Sequence, residues 1–192
     1  MKLIELILDD DKAIGVEAIS VVENPAIESD FIALSKYVVK LAEVSKEKRI
    51  LMGALLIPNI KIPRNGDNNQ EDYEVFFSKE TIEKASELYL QNNNQSKSTL
   101  EHNRELKGLT LVQTWLVEDS KIDKTALHGI NVPVGTWMGC VKVNNEEVWN
   151  DYVKTGKVKG FSIEGYFADK LEKPQELSAQ DKILNELKEL LK

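Results

Sequence analysis

The sequence has 192 residues but only one cysteine and two histidines, and each shortage excludes a class of protein. A single cysteine cannot form an intrachain disulfide, so the sequence is not that of a small disulfide-stapled secreted scaffold. One cysteine and two histidines are also too few for the common four-ligand zinc sites built from these residues. We therefore predict that the protein uses no metal and no cofactor.

The chain also lacks an excess of basic charge and any long apolar run. It has 25 Lys and Arg against 32 Asp and Glu, a formal net charge of −7, and no basic block, which argues against nucleic-acid binding. No apolar run approaches the roughly 20 residues of a membrane span. The start, MKLIELILDDD, becomes acidic after eight residues, which is not typical of a signal peptide. We expect a soluble, intracellular, acidic globular protein.

What the sequence does contain is a series of short strand patterns with few long helices. The apolar run ILMGALLIP (50–58) ends at a proline and predicts a buried strand. Ser78 predicts the N-cap of a helix over 79–91, and Gly156 the end of a helix over 145–157. Six or more strands predict an α+β fold, in which a mostly antiparallel, closed or nearly closed β-barrel has peripheral helices.

The two ends of the chain are predicted to lie outside this barrel domain, which we assign to residues 36–172. Residues 1–35 are predicted to form an N-terminal extension or a pro-segment, unless their strands join the barrel. Residues 173–192 are predicted to form a linker and an amphipathic helix, with its leucines on one side over 178–192.

Few residues could carry out acid–base or nucleophilic chemistry. His102, in STLEHNREL, and His128, in TALHGINVPVG, are the two possible imidazole bases. Ser162 lies in GFSIEG, between Gly160 and Gly165, within a strand pattern. Nearby glycines allow close approach of a substrate backbone and can offer N–H groups to an oxyanion.

Longer segments around these residues resemble a known family. They are TLEHNRELKGLTLVQTWLVEDSKID (99–123), VPVGTWMGCVKV (132–143) and EEVWNDYVKTGKVKGFSIEGYF (146–167), together with GVEAISVVENPAIESDFIALSK (15–36). They are similar to the XkdF-type phage prohead proteases, relatives of the phage head-maturation proteases with a herpesvirus-assemblin-like fold. The resemblance covers most of residues 15 to 170, and its most specific part is the spacing from the histidine to Lys-Gly-Phe-Ser-Ile-Glu-Gly.

The resemblance implies a serine endopeptidase in which a histidine precedes the serine along the chain. These residues correspond to His102 as general base and Ser162 as nucleophile. Glu164 is our prediction for the third catalytic residue, because residues i and i+2 of a strand share a face, about 7 Å apart. Glu118, Asp119 and His128 remain alternatives.

The same resemblance implies partners and a location. The expected substrates are the phage scaffold, segments of the major capsid protein and the protease itself, within the assembling procapsid in the host cytoplasm. The C-terminal helix is predicted either to dock on its own domain or to mediate self-association, and neither nucleic acid nor membrane is expected as a partner. Alternatives are a catalytically silent head protein with the same fold, and a barrel that binds a small ligand.

Overall fold

The computed structural model describes residues 2–8, 15–23, 32–33, 48–64 and 72–169. Strands dominate this part of the chain, and its helices are α1 (Lys79–Gln91), α2 (Lys124–Leu127) and a π-helix (Val148–Val153). The predicted α+β class is confirmed. In chain order the strands are β1 (Lys2–Ile7), β2 (Val16–Val22), β3 (Ile32–Ala33), β4 (Ile50–Leu56), β5 (Ile62–Arg64), β6 (Tyr73–Phe77), β7 (Ser98–Leu100), β8 (Arg104–Leu106), β9 (Leu109–Leu116), β10 (Trp137–Val143), β11 (Gly160–Gly165) and β12 (Ala168–Asp169).

The described strands form three four-stranded sheets. The first has the order β12-β1-β6-β5, the second β3-β4-β10-β9 and the third β11-β2-β7-β8. Neighbouring strands are antiparallel except for the parallel pairs β1–β6 and β2–β7. The mostly antiparallel pairing matches the prediction, whereas a closed barrel is not confirmed, because the hydrogen-bonded ladders end at the edges of each sheet. The predicted C-terminal helix over 178–192 lies outside the described residues.

The core forms where continuous apolar strands are covered on both faces. Residues 51–56 of β4 are all buried, as predicted from their apolar run, and so are most residues of the neighbouring β10. Helix α1 packs on this layer through Tyr89, whose ring meets that of Trp137 edge to face at 5.5 Å. Both side chains are fully buried. The second sheet therefore supplies the rigid centre of the protein.

Local signals in the sequence set the helix ends. The Ser78 hydroxyl accepts the N–H of Thr81 at 3.3 Å, which confirms the predicted N-cap of α1. The helix predicted over 145–157 is present in part, as the π-helix, and Gly156 follows it with φ of 71°. No helix in the described ranges is both long enough and apolar enough to cross a bilayer.

Candidate active site

Three strands of the third sheet, with the turn that follows one of them, carry a polar cluster that includes the residues predicted for catalysis. Strand β2 lies between β11 and β7, and its Ser20 is the registered partner of both Ser162 and Thr99. Directly opposed residues of neighbouring strands point to the same face, so these three residues form one row across the sheet. Glu164 lies two residues beyond Ser162, and strand alternation puts its side chain on that same face. The sheet therefore brings together residues that are far apart in sequence.

His102 occupies a tight turn between β7 and β8. The N–H of Asn103 donates to the carbonyl of Leu100 over 3.1 Å and closes the turn. Both central residues have a left-handed backbone, with φ of 49° at Glu101 and 57° at His102. This is the φ pattern of a type I′ turn, which favours asparagine and glycine. For other residues such a conformation costs about 1 to 3 kcal/mol each.

Hydrogen bonds to β2 hold this turn in place. The N–H of His102 donates to the Ser20 hydroxyl at 3.1 Å, and the N–H of Glu101 donates to the Val21 carbonyl at 3.2 Å. The N–H of Glu23 in turn donates to the Glu101 carboxylate at 2.7 Å. Ser20 is completely buried, so the protein itself fixes its hydroxyl. A strained backbone conformation persists where several surrounding contacts hold it. Here the hydrogen bonds to β2 hold the strained turn.

The His102 side chain contacts Glu164. The distance from His102 Nδ1 to Glu164 Oε1 is 3.1 Å, and the Thr99 hydroxyl donates to the same carboxylate oxygen. An ionised carboxylate can only accept hydrogen bonds, so the neutral imidazole donates from Nδ1 and Nε2 is left as an acceptor. The two side chains are 43% and 31% exposed, so the pair remains accessible. This arrangement orients an imidazole to act as a base through Nε2.

The other side of the histidine hairpin is fixed by an ion pair. Arg104 in β8 donates from both terminal nitrogens to the two carboxylate oxygens of Glu147, at 2.8 and 3.0 Å. The hydrogen bonds and the opposite charge raise the pKa of Arg104 and lower the pKa of Glu147. Glu147 immediately precedes the π-helix, and β11 follows that helix. The ion pair therefore links the hairpin that bears His102 to the segment that leads into the strand of Ser162.

The two other predicted site residues, Glu164 and Ser162, differ in whether they contact His102. Glu164 contacts His102, whereas no hydrogen bond joins the Ser162 hydroxyl to His102 within the described ranges. Catalytic hydrogen bonds are often long in enzymes without substrate. Ser162 is half-buried on the face that also bears Glu164.

The alternative third residues lie in other surroundings. Glu118 is exposed beyond the end of β9, and the Asp119 carboxylate accepts the N–H of Lys121 at 2.8 Å. His128 forms the C-cap of α2. Of the four candidates, it is Glu164 whose carboxylate lies 3.1 Å from the His102 ring in the part of the chain that the structure describes.

A cavity of about 250 Å³ adjoins Ser162. It lies between β11 and strands of the first and second sheets, and its walls are mostly apolar side chains. Arg64 is the charged residue that lines it. By strand alternation, Phe161 and Ile163 in its lining lie on the face of β11 opposite Ser162 and Glu164, so the recess lies across the strand from the polar cluster.

Other potentially reactive groups lie elsewhere. No group of three or more His, Cys, Asp or Glu side chains in the described part of the chain is arranged to hold a metal ion. Cys140 is buried in β10, and burial raises the pKa of its thiol, although Lys124 Nζ at 3.8 Å partly opposes this effect. A thiol of this kind stays protonated near neutral pH and is not a nucleophile.

Two residues of the cluster were not predicted from the sequence. Ser20 supports the backbone of His102, and Thr99 donates to Glu164. Ser20 lies in an apolar strand segment and Thr99 follows the polar run Ser-Lys-Ser, and in neither setting does a hydroxyl residue give a sign of a function. Their roles follow from the pairing of β2 with β7 and β11, which no local pattern encodes.

Comparison with known proteins identifies the family. A family model described as "Putative phage serine protease XkdF" matches residues 37–172, well over half of the chain. No curated protein matches the chain, and no solved structure matches it. The match includes the histidine hairpin, strands β4, β9 and β10 of the second sheet, and the strand with Ser162. The chain therefore belongs to the XkdF family of phage serine proteases.

Proposed function

We propose that this protein is an active serine endopeptidase with Ser162 as nucleophile, His102 as general base and Glu164 as the residue that orients the imidazole. One observation carries the assignment: the 3.1 Å contact between His102 Nδ1 and Glu164 Oε1, on the sheet face shared with Ser162. Family membership supplies the reaction class.

In this mechanism Ser162 Oγ attacks the carbonyl carbon of the scissile peptide bond. His102 Nε2 accepts the hydroxyl proton and then donates it to the leaving amine, so that an acyl-enzyme and a free amino terminus result. A water molecule, deprotonated by the same nitrogen, then attacks the ester carbonyl, and His102 returns that proton to Ser162 Oγ as the C–O bond breaks and the carboxylate product is released. Glu164 keeps the proton on Nδ1 and stabilises the imidazolium that forms in each step.

The proposed substrates are proteins of the phage head. We infer that the protease acts inside the assembling procapsid in the host cytoplasm, on scaffold, on segments of the major capsid protein and on itself. The net charge of −7 suits a protein that works among other proteins before DNA enters the shell. Self-association through the C-terminal segment 173–192 belongs to the same proposal.

The first test asks whether Ser162 is the nucleophile. The protein is co-expressed with the capsid and scaffold proteins of its phage, and intact masses are followed with and without a fluorophosphonate probe. We expect Ser162→Ala to abolish cleavage and labelling while circular dichroism is unchanged. Ser96→Ala, which changes an exposed serine in the loop between α1 and β7, is the matched control and should cleave normally. A wild-type protein that neither cleaves nor reacts with the probe would support the silent head protein instead.

A second test identifies the third catalytic residue. Glu164→Gln removes the negative charge but keeps the shape, and we expect kcat/KM to fall by about 10² to 10⁴, the usual contribution of an oriented acid–base group. Glu118→Gln, Asp119→Asn and His128→Asn should each change it less than about threefold. If one of these three has the large effect and Glu164→Gln does not, the role of Glu164 is wrong.

A further inference from the structure

Thr99 belongs to the polar cluster, although the proposed mechanism gives it no task. Its hydroxyl donates to Glu164 Oε1, the same oxygen that lies 3.1 Å from His102 Nδ1. Each oxygen of an ionised carboxylate has two lone pairs, so Oε1 can accept both hydrogen bonds at once. The contact that orients the imidazole therefore shares its acceptor atom with Thr99.

Glu164 reaches across a whole strand to make these contacts. Strand β2 lies between β11 and β7, so the strands of Glu164 and Thr99 are two strand spacings, at least about 9.5 Å, apart. On the shared face, Ala18 is the registered partner of Glu164, and Ser20 is the registered partner of Thr99. Both β2 residues are small and buried, so the long glutamate side chain can pass over this strand. An aspartate, one methylene shorter, would end further from Thr99 and His102.

An extended side chain of this kind needs a fixed end point. A glutamate side chain has three rotatable bonds, and most of its rotamers take the carboxylate away from the His102 ring. Glu164 and His102 are both partly exposed, so water competes for the carboxylate. The donation from Thr99 favours the one rotamer that places Oε1 at the ring.

The backbone on both sides of Thr99 is itself fixed by β2. Before it, the N–H of Ile19 donates to the Lys97 carbonyl at 3.2 Å. After it, the N–H of Glu101 donates to the Val21 carbonyl at 3.2 Å. Threonine is also β-branched, which restricts its side chain to few rotamers. The Thr99 hydroxyl is therefore a preorganised donor.

We propose that Thr99 is a positioning residue of the catalytic cluster. Its hydroxyl holds the Glu164 carboxylate at the His102 ring, and the carboxylate then keeps the proton of the neutral imidazole on Nδ1. Nε2 thus stays available to accept the proton of Ser162. The proposal rests on the proposed function, since it assigns how the third residue of that mechanism is held.

The kinetic test removes the Thr99 hydroxyl but keeps the side-chain shape. Thr99→Val is compared with wild type on a peptide that wild type cleaves, selected from a randomised library. We expect kcat to fall about 10- to 100-fold, the usual effect of one hydrogen bond to a charged group, while KM changes less than about twofold. Thr99→Ser keeps the hydroxyl and should stay within about threefold of wild type. Thr99→Ala also lacks the hydroxyl and serves if the valine variant does not fold.

Thr110→Val is the matched control. Like Thr99, Thr110 is a half-buried strand residue, and its hydroxyl lies 3.1 Å from the Ser96 hydroxyl, away from the polar cluster. This variant also loses one side-chain hydrogen bond but leaves Glu164 unchanged, so its kcat should equal that of wild type. Circular dichroism and urea unfolding compare the folds of all variants.

A double-mutant cycle tests whether Thr99 acts through Glu164. Glu164→Ala removes the acceptor, so adding Thr99→Val to it should lower kcat by less than about twofold. Glu164→Asp keeps the charge but shortens the side chain, and we expect its kcat to fall at least as far as that of Thr99→Val.

Nuclear magnetic resonance reports the imidazole tautomer without requiring activity. The chain has two histidines, so isotope-labelled histidine gives two ring systems, and His128→Asn identifies the signals of His102. At a pH where the neutral imidazole dominates, we expect His102 of wild type to be protonated on Nδ1. In Thr99→Val a substantial fraction should instead be protonated on Nε2, whereas Thr110→Val should match wild type.

Each outcome decides a different point. If Thr99→Val changes neither kcat nor the His102 tautomer, the positioning role is wrong and the protease remains. An equal fold loss from Thr99→Val with and without Glu164 also overturns the role, because the effect then does not pass through the carboxylate. If Thr99→Val alters the tautomer but wild type cuts no peptide and ignores a fluorophosphonate probe, the positioning of the ring stands and the protease fails. A wild type with neither cleavage nor the Nδ1-protonated ring overturns both proposals.

Discussion

At the scale of single residues, the histidine turn shows how the proposed function opposes the local backbone preference. Glu101 and His102 occupy left-handed positions that favour asparagine or glycine. A glycine would relax the backbone but would remove the imidazole. The protein instead holds the strained turn with hydrogen bonds to β2, above all through the buried Ser20. The position of the His102 ring therefore depends on a residue that takes no part in the proposed chemistry.

We expect Ser20→Ala to lower the free energy of unfolding by about 1 kcal/mol, the usual net value of one hydrogen bond. Peptide cleavage should fall by more than this stability loss explains, because the His102 ring loses its fixed position. Urea unfolding and kcat/KM measure the two effects. Ser98→Ala is the control, since Ser98 is also buried in the third sheet and its hydroxyl makes no hydrogen bond within the described ranges. Equal loss of activity in both variants would contradict the positioning role.

At the scale of elements, some features could be predicted from the sequence and others could not. Helix α1 and strand β4 were predicted because a capping serine and a continuous apolar run are local signals. The pairing of Ser162 with Ser20 spans most of the described chain and leaves no local trace. The His102–Glu164 contact was predictable only in part, since alternation puts Glu164 on the face of Ser162 but does not say where the histidine lies. Thr99 and Ser20 could not be assigned for the same reason.

Strand β11 itself depends on a close backbone approach. Gly165 follows an irregularity in its pairing with β2, and a Cβ added there would lie 2.1 Å from the carbonyl oxygen of Gly15. Backbone atoms cannot move aside as a flexible side chain can. The glycine therefore allows the end of β11 to close onto the start of β2, three residues after Ser162.

We expect Gly165→Ala to reduce stability by about 3 kcal/mol or more, at the upper end of overpacking effects, and to reduce peptide cleavage as β11 shifts. Gly156→Ala is the comparison, because Gly156 has φ of 71° but open space around it. That variant should lose only about 1 kcal/mol, from the left-handed backbone alone. Urea unfolding gives both values, and equal losses would show that the contact with Gly15 is unimportant.

At the scale of the whole molecule, the buried second sheet can report on global opening. Cys140 lies in β10 of this sheet and is only 1% exposed, and burial raises the pKa of its thiol. A raised pKa means that the thiolate fraction is smaller than for a free cysteine throughout the neutral range and grows only at higher pH. Reaction with an alkylating reagent therefore requires the sheet to open.

We expect iodoacetamide at pH 8 to modify Cys140 at least about a hundredfold more slowly than an exposed thiol, and rapidly once urea unfolds the protein. Mass spectrometry follows the reaction. The double variant Cys140→Ser, Ser96→Cys supplies the exposed thiol in the same protein. Comparable native rates for the two proteins would mean that the second sheet opens locally.

The register of the third sheet also has a consequence for the order of events during synthesis. The site needs Ser20 from the early part of the chain, the hairpin with His102 from the middle and the strand with Ser162 and Glu164 from much later. Contacts between segments so distant in sequence form only after all of them have left the ribosome. A nascent chain that ends before residue 164 therefore holds no assembled site. Under the proposed function, the protein cannot cut neighbouring nascent proteins while it is still being made, and cleavage begins only when its fold is complete.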